Sequence, residues 1–102
     1  MIRHIVLVRF AGHVGGAEIA RIFADLRELR HTIPGLLSFA AGANVSPEGL
    51  ARGYTHAFTV DFADAEARDL YLADGGHAKA GAALVAALEG GLDGLLVIDV
   101  ES

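Results

Sequence analysis

Ile2-Arg3-His4-Ile5-Val6-Leu7-Val8-Arg9-Phe10 opens the chain, and Leu95-Leu96-Val97-Ile98-Asp99-Val100 nearly closes it. Both runs are short and rich in β-branched and large apolar residues, which reads as strand, and both fall far below the ~18 consecutive apolar residues of a membrane-spanning helix. Side chains on a strand alternate between the two faces of its sheet. Here both faces are apolar, with His4, Val6, Val8, Leu95 and Val97 on one and Ile5, Leu7, Leu96 and Ile98 on the other. Helices can cover one face of an antiparallel sheet, so the other needs a second cover.

Between these strands the chain supplies the missing elements. From Ala17 to Thr32 the residues Ile19, Ile22, Phe23, Leu26, Leu29 and Ile33 recur at helical spacing, while Glu18, Arg21, Asp25 and Glu28 lie off that stripe, and Pro34 ends the helix. Leu36 to about Val45 reads as a second strand, Ser46-Pro47-Glu48-Gly49 as a turn or one-turn helix, and Tyr54 to Phe62 as a third strand. Asp64 can cap a helix running to about Leu72, which Gly75-Gly76 separates from an Ala-rich helical segment from about Ala78 to Leu88. The order β-α-β-β-α-β predicts an α+β, ferredoxin-like fold with an antiparallel sheet and both helical crossovers on one face. Phe39, His56, Phe58 and Val60 then join the face of His4, and Ala40, Ala57 and Thr59 join that of Ile5. The simplest cover for this second face is the same face of another copy, giving a homodimer, a dimeric α+β barrel with helices outside. Arg3, Arg9 and Asp61 fall near strand ends on the partner-facing side, where rim ion pairs would set register.

Composition narrows the function classes. The 102 residues suit a single domain, 1–102, with one core. Without cysteine there is no disulfide, thiolate nucleophile or cysteine-bound metal, so chemistry must come from His, Tyr, carboxylates or backbone. Eight basic residues against thirteen acidic ones, with no Lys/Arg-rich run, argue against nucleic acid as a partner. Neither a membrane span nor a secretory h-region is expected, which points to a cytoplasmic protein.

Four stretches resemble the stress-responsive dimeric α/β-barrel (Dabb) domain family: Ile2 through Phe10, Ile33-Pro34-Gly35-Leu36, Gly53-Tyr54-Thr55-His56 and Leu95 through Asp99. The early His4, the Tyr-Thr-His opening of the third strand and His77 after the second helix strengthen the likeness, which covers nearly the whole chain. The resemblance implies a homodimeric barrel. In that family a plant polyketide cyclase makes olivetolic acid by aldol condensation without cofactor or metal, using a His as base and a Tyr to orient the substrate. The matching positions are His77 and Tyr71. His4 and His56 match pocket-lining histidines, and the substrate-binding set is completed by Val6, Phe58 and Leu26. Leu26 and Leu92 stand where the cyclase has Tyr and Trp, so substrate identity does not transfer.

The residues themselves allow two readings at each position. His77 follows two glycines at the start of a helical segment, where the positive end of the helix dipole favours a neutral, proton-accepting imidazole, but a capping or surface His fits the same pattern. Tyr71 could donate a hydrogen bond to a developing enolate, or serve as an aromatic anchor. His4 and His56 lie among apolar residues, where a hydrogen-bonded core histidine is the plainer role. A shared metal site is disfavoured, because the starts of antiparallel neighbours lie at opposite ends of the sheet and no ligand spacing is present. No cofactor is expected. The function that follows is a small-molecule-binding homodimer with a pocket between sheet and helices, catalysing proton transfer of aldol, cyclase or isomerase type. The alternatives are a non-catalytic stress or assembly protein and a cofactor-independent monooxygenase of the same barrel architecture.

Overall fold

Main-chain pairing of the four apolar runs builds a single sheet. In the computed structural model, which describes residues 1–102, β1 (Ile2–Val8), α1 (Gly16–Glu28), β2 (Leu36–Ala43), β3 (His56–Phe62), α2 (Ala65–Ala73), α3 (Gly75–Ala86) and β4 (Leu95–Glu101) follow in chain order. The strand order is β2-β3-β1-β4 and every neighbouring pair is antiparallel. This is the ferredoxin-like α+β arrangement. None of its helices is long and apolar enough to cross a membrane.

The layer between sheet and helices is the core. Ile2, Val6 and Val8 of β1 and Phe58, Val60 and Phe62 of β3 are buried there against Ile22, Phe23 and Leu26 of α1, Tyr71 of α2 and Leu84 of α3. Period-two alternation on the strands and 3.6-residue spacing on α1 place these side chains. The opposite face of the sheet carries Ile5 and Leu7, with Leu96, Ile98 and Val100 at 43%, 51% and 46% exposure.

Local chemistry moves several boundaries. β1 ends at Val8, two residues early, because the Arg9 amide donates to the Gly94 carbonyl and the Phe10 amide to Thr55 Oγ1. Phe10 keeps only an isolated bridge to Leu88. β2 stops at Ala43, and the segment after it turns on side chains, with Asn44 Oδ1 accepting from the Ser46 amide at 3.0 Å and Ser46 Oγ from the Glu48 amide at 3.4 Å. No helix forms at Ser46–Gly49. The last turn of the first helix tightens to a 3₁₀ turn at Leu29–His31. The break between α2 and α3 falls at Asp74 and not at the glycines: Asp74 is extended (φ −69°, ψ 136°), its carboxylate accepts from the His77 amide at 3.1 Å, and Gly75 and Gly76 form the first turn of α3. A side-chain cap that satisfies an orphan amide outweighs the poor helix propensity of two glycines at a helix start.

One of the charges expected to form rim ion pairs does not. Arg3 and Asp61 do pair, directly across β1 and β3 and through both guanidinium contacts (2.7 and 3.1 Å), and Ser38 Oγ donates to the same carboxylate at 2.9 Å. The hydrogen bond from Arg3 holds the Asp61 carboxyl below its usual range. Arg9 has no carboxylate partner; it donates to the Asp93 carbonyl at 2.6 Å and lies over the Tyr54 ring.

The turn into β2 carries a strict steric demand. Gly35 has φ +84°, and a Cβ there would come within 2.6 Å of Ala67 Cβ on α2. Gly35→Ala combines a left-handed backbone with overpacking, so urea unfolding should register a loss of about 2–4 kcal/mol.

Candidate active site

The β1–β4 ladder sets Asp99 directly opposite His4, with both side chains on the helix side. His4 is 5% exposed, and its Nδ1 lies 2.7 Å from Asp99 Oδ1. From α2, Arg68 Nη1 donates to the other oxygen of Asp99 at 2.9 Å, while its Nε donates to Asp69 at 2.9 Å. Burial alone would raise the Asp99 carboxyl, but the hydrogen bonds from His4 and Arg68 offset it and hold the group below its ordinary range. An ionised Asp99 accepts a hydrogen bond from Nδ1–H, so a neutral His4 carries its free lone pair on Nε2.

Tyr71 stands three residues beyond Arg68 on α2, on the same face of the helix. Its ring packs edge-on to His4 at 5.8 Å and 4.3 Å from the ring of His77, which the Asp74 cap delivers from the first turn of α3. Tyr71 is 1% exposed and its hydroxyl has no hydrogen-bond partner in the protein; neither does the buried Nδ1 of His77. Leaving such a group unpartnered costs about 1–3 kcal/mol. Burial pushes the Tyr71 hydroxyl above its ordinary range, so it stays a donor. Burial, aided by the nearness of His4 and only partly opposed by the Leu72 backbone and Asp74, pulls His77 below its ordinary value and keeps the imidazole neutral.

His4 and His77 border a cavity of about 290 Å³ between α3, α1 and the β1–β4 edge. Val6, Leu26 and Phe58 form its floor with Leu95 and Val97, α3 contributes Ala78, Gly81, Leu84 and Val85, and His4 and His77 are the only polar side chains on its wall. Five of the residues singled out from sequence, His4, Val6, Leu26, Phe58 and His77, therefore share one space. Tyr71 is not on the wall but behind it, between the two imidazoles. His56 lies elsewhere. It pairs with Val8, four residues along the ladder from His4, which is roughly 13 Å at ~3.3 Å per residue. Its ring rests on Phe10 and Phe23, its Nδ1 meets Thr55 Oγ1 at 2.9 Å, and the cavity it borders, with Leu7 and Tyr54, opens beside the β2–β3 loop. No three His, Asp or Glu side chains are gathered as a metal would need.

Sequence reasoning missed Asp99, Arg68 and Asp74. Asp99 had a legible signal, since it follows Leu95 and Val97 at period two and so must share their face. Nothing in the helix pattern marks Arg68.

The family model of the stress responsive A/B barrel domain matches residues 2–102. A stress-response A/B barrel domain-containing protein of Arabidopsis thaliana is 32% identical over 98 residues, covering 96% of this chain and 86% of that protein. Among solved structures, a dimeric ferredoxin-like protein of unknown function from Jannaschia superposes with a TM-score of 0.92 at 34% identity, covering 99% and 98% of the two chains. A hydroxynitrile lyase from Passiflora edulis shares the fold, with a TM-score of 0.85 at 23% identity over 97% and 90% of the two chains.

The shifted histidines make stability depend on pH. His77 and His56 both bind protons more weakly folded than unfolded, where a His titrates near ~6.5. Their contribution is complete above that value and is lost as pH falls from it toward the folded-state values, because the unfolded chain binds more protons there. Urea midpoints should therefore fall between pH 7 and 5, a window above that of the depressed Asp61 and Asp99, and the slope should be shallower in His77→Ala.

Proposed function

The chain belongs to the stress-responsive A/B barrel domain family, and from that premise we propose that it acts as a homodimer whose helix-side cavity binds an uncharged, largely apolar carbonyl compound and moves a proton on it. His77 is the base and Tyr71 the hydrogen-bond donor. The observation that carries this reading is the contact between the Tyr71 and His77 rings at 4.3 Å, with Tyr71 Oη and His77 Nδ1 both buried and unpartnered by protein, beside an apolar cavity.

The chemistry follows from what the cavity offers. A neutral imidazole can take a proton from a carbon next to a carbonyl, and negative charge then develops on the carbonyl oxygen. Tyr71, held protonated by burial behind the wall, can donate to that oxygen as it becomes an enolate where the ligand reaches between the His4 and His77 rings, in surroundings where such a bond is strong. No Lys or Arg lines the space, so nothing there would balance a carboxylate or phosphate stripped of water. A volume of about 290 Å³ lies at the small end of ligand pockets. Open space beside His77 also favours a ligand-binding role over that of an inert assembly protein, in which core side chains would fill it.

The homodimer is supported by the apolar outer face of the sheet and by the dimeric Jannaschia relative. Two such faces packed together would cover Ile5, Leu7, Leu96 and Ile98 with side chains of the same kind. Leu7→Asp would set a charge in that layer, and light scattering should show loss of the dimer; a well-folded monomer for the unmutated protein would end the proposal.

The catalytic part can be read with benzoylacetone, a neutral β-dicarbonyl, by following exchange of its α-protons in heavy water. The unmutated protein should accelerate the exchange, and His77→Ala should slow it by roughly 10²–10⁴, the usual contribution of a general base. Tyr71→Phe should slow exchange less, yet raise stability by about 1 kcal/mol, since it removes an unpartnered buried hydroxyl. Unaltered exchange in His77→Ala would refute the base, and benzoate competing as well as acetophenone would refute the preference for an uncharged ligand.

A further inference from the structure

The ion pair between Arg68 and Asp99 is partly exposed, with both side chains about one-quarter accessible (25% and 28%), and pairs of that kind contribute little to stability. Its placement is more telling than its strength. Arg68 is anchored from behind by Asp69, spans from α2 to the edge strand β4, and holds the one carboxylate oxygen of Asp99 that His4 does not use. Asp69, Arg68, Asp99 and His4 thus form a row of alternating partners that ends on the cavity wall.

From this geometry we propose that Arg68 is a positioning residue, which clamps Asp99 so that the proton of neutral His4 stays on Nδ1 and Nε2 faces the ligand as a bare acceptor. The inference rests on reading the helix-side cavity as the ligand site. The groups facing His4 are Asp99 from β4, Arg68 and Tyr71 from α2, and His77 from α3. Tyr71 meets the imidazole through its ring, so Asp99 is the only group shown hydrogen-bonded to it. With its second oxygen released, the Asp99 carboxylate can rotate about its terminal torsion, which is broad, and offer His4 less well-aligned bonds. The tautomer of a histidine is set by the bond its other nitrogen makes, so loosening that carboxylate loosens the tautomer. Arg suits the task because its planar fork reaches Asp69 and Asp99 at once, which a single ammonium cannot do with the same geometry.

The test needs no substrate. In nitrogen-15 spectra recorded above the His titration range, His4 of the unmutated protein should show one tautomer, protonated at Nδ1. Arg68→Gln should turn this into a mixture of tautomers and move the carbon-13 titration of the Asp99 carboxyl upward toward the ordinary carboxylate range. Arg68→Lys, which keeps the charge but not the fork, should restore the Asp99 titration in part and the single His4 tautomer less. In the unmutated protein the Arg68 Nη protons should also be resolved, since the clamp hinders rotation of the guanidinium. A single unchanged His4 tautomer in Arg68→Gln, with an unchanged amide spectrum, would overturn the proposal. Averaged Arg68 Nη signals would do so even if that variant failed to fold. Should the tautomer respond while benzoylacetone exchange is absent, the positioning role stands and the catalytic reading falls.

Discussion

The central position of β1 is the constraint on which the remaining structure depends. Paired on both sides, it has no free edge, so each of its side chains must fit either the helix layer or the opposite face. His4 is the one polar residue on its inward face. A buried imidazole needs a partner, and the β1–β4 register supplies Asp99 directly across from it. Were β4 to slip by one residue, Asp99 would turn to the outer face and His4 would lose that partner, while the apolar pattern of β4 would still look acceptable on either side. The His4–Asp99 bond therefore reports the register of the edge strand as well as the chemistry of the site.

Around that pair the candidate site departs from what packing for stability alone would favour. Tyr71 and His77 carry buried polar atoms with no protein partner, an arrangement a core designed only for stability would avoid. The Asp74 cap makes it achievable, because it starts a new helix where α2 would otherwise have continued, and so brings His77 back over Tyr71. Burial then acts in opposite chemical directions on two neighbours. It keeps the imidazole without its extra proton and the phenol with its own, which separates an acceptor from a donor within one ring contact.

The other face of the sheet obeys a simpler rule. Leu96, Ile98 and Val100 are about half exposed in the single chain, and the two charges carried by the strands there, Arg3 and Asp61, neutralise each other across one rung. Pairing within the chain leaves no uncompensated charge on the strands of that face, which is what a second sheet of the same kind would require of them. The β2 strand adds Ala40 and Gly42 there, small residues that let another surface approach closely.

Much of this was written locally in the chain. Alternation in the four strands and helical spacing in α1 are properties of a few consecutive residues, so element order, the two apolar faces and the inward set of His4, Val6, Leu26 and Phe58 could be read before any coordinates. His77 could be read too, but with its helix started at the wrong residue, since the glycines are conspicuous and the Asp74 cap is a single side-chain bond. What the tertiary structure alone decided involves distance. His4 and Asp99 are 95 residues apart and Arg68 meets Asp99 across 31, so their contact depends on strand register and on where α2 lies over the sheet. His56 shares a face with His4 in any reading of the pattern, yet antiparallel pairing carries it four rungs away to another cavity. Periodicity specifies which face a side chain occupies; only the pairing of distant segments specifies its neighbours, because those contacts form between elements whose relative positions no local pattern encodes.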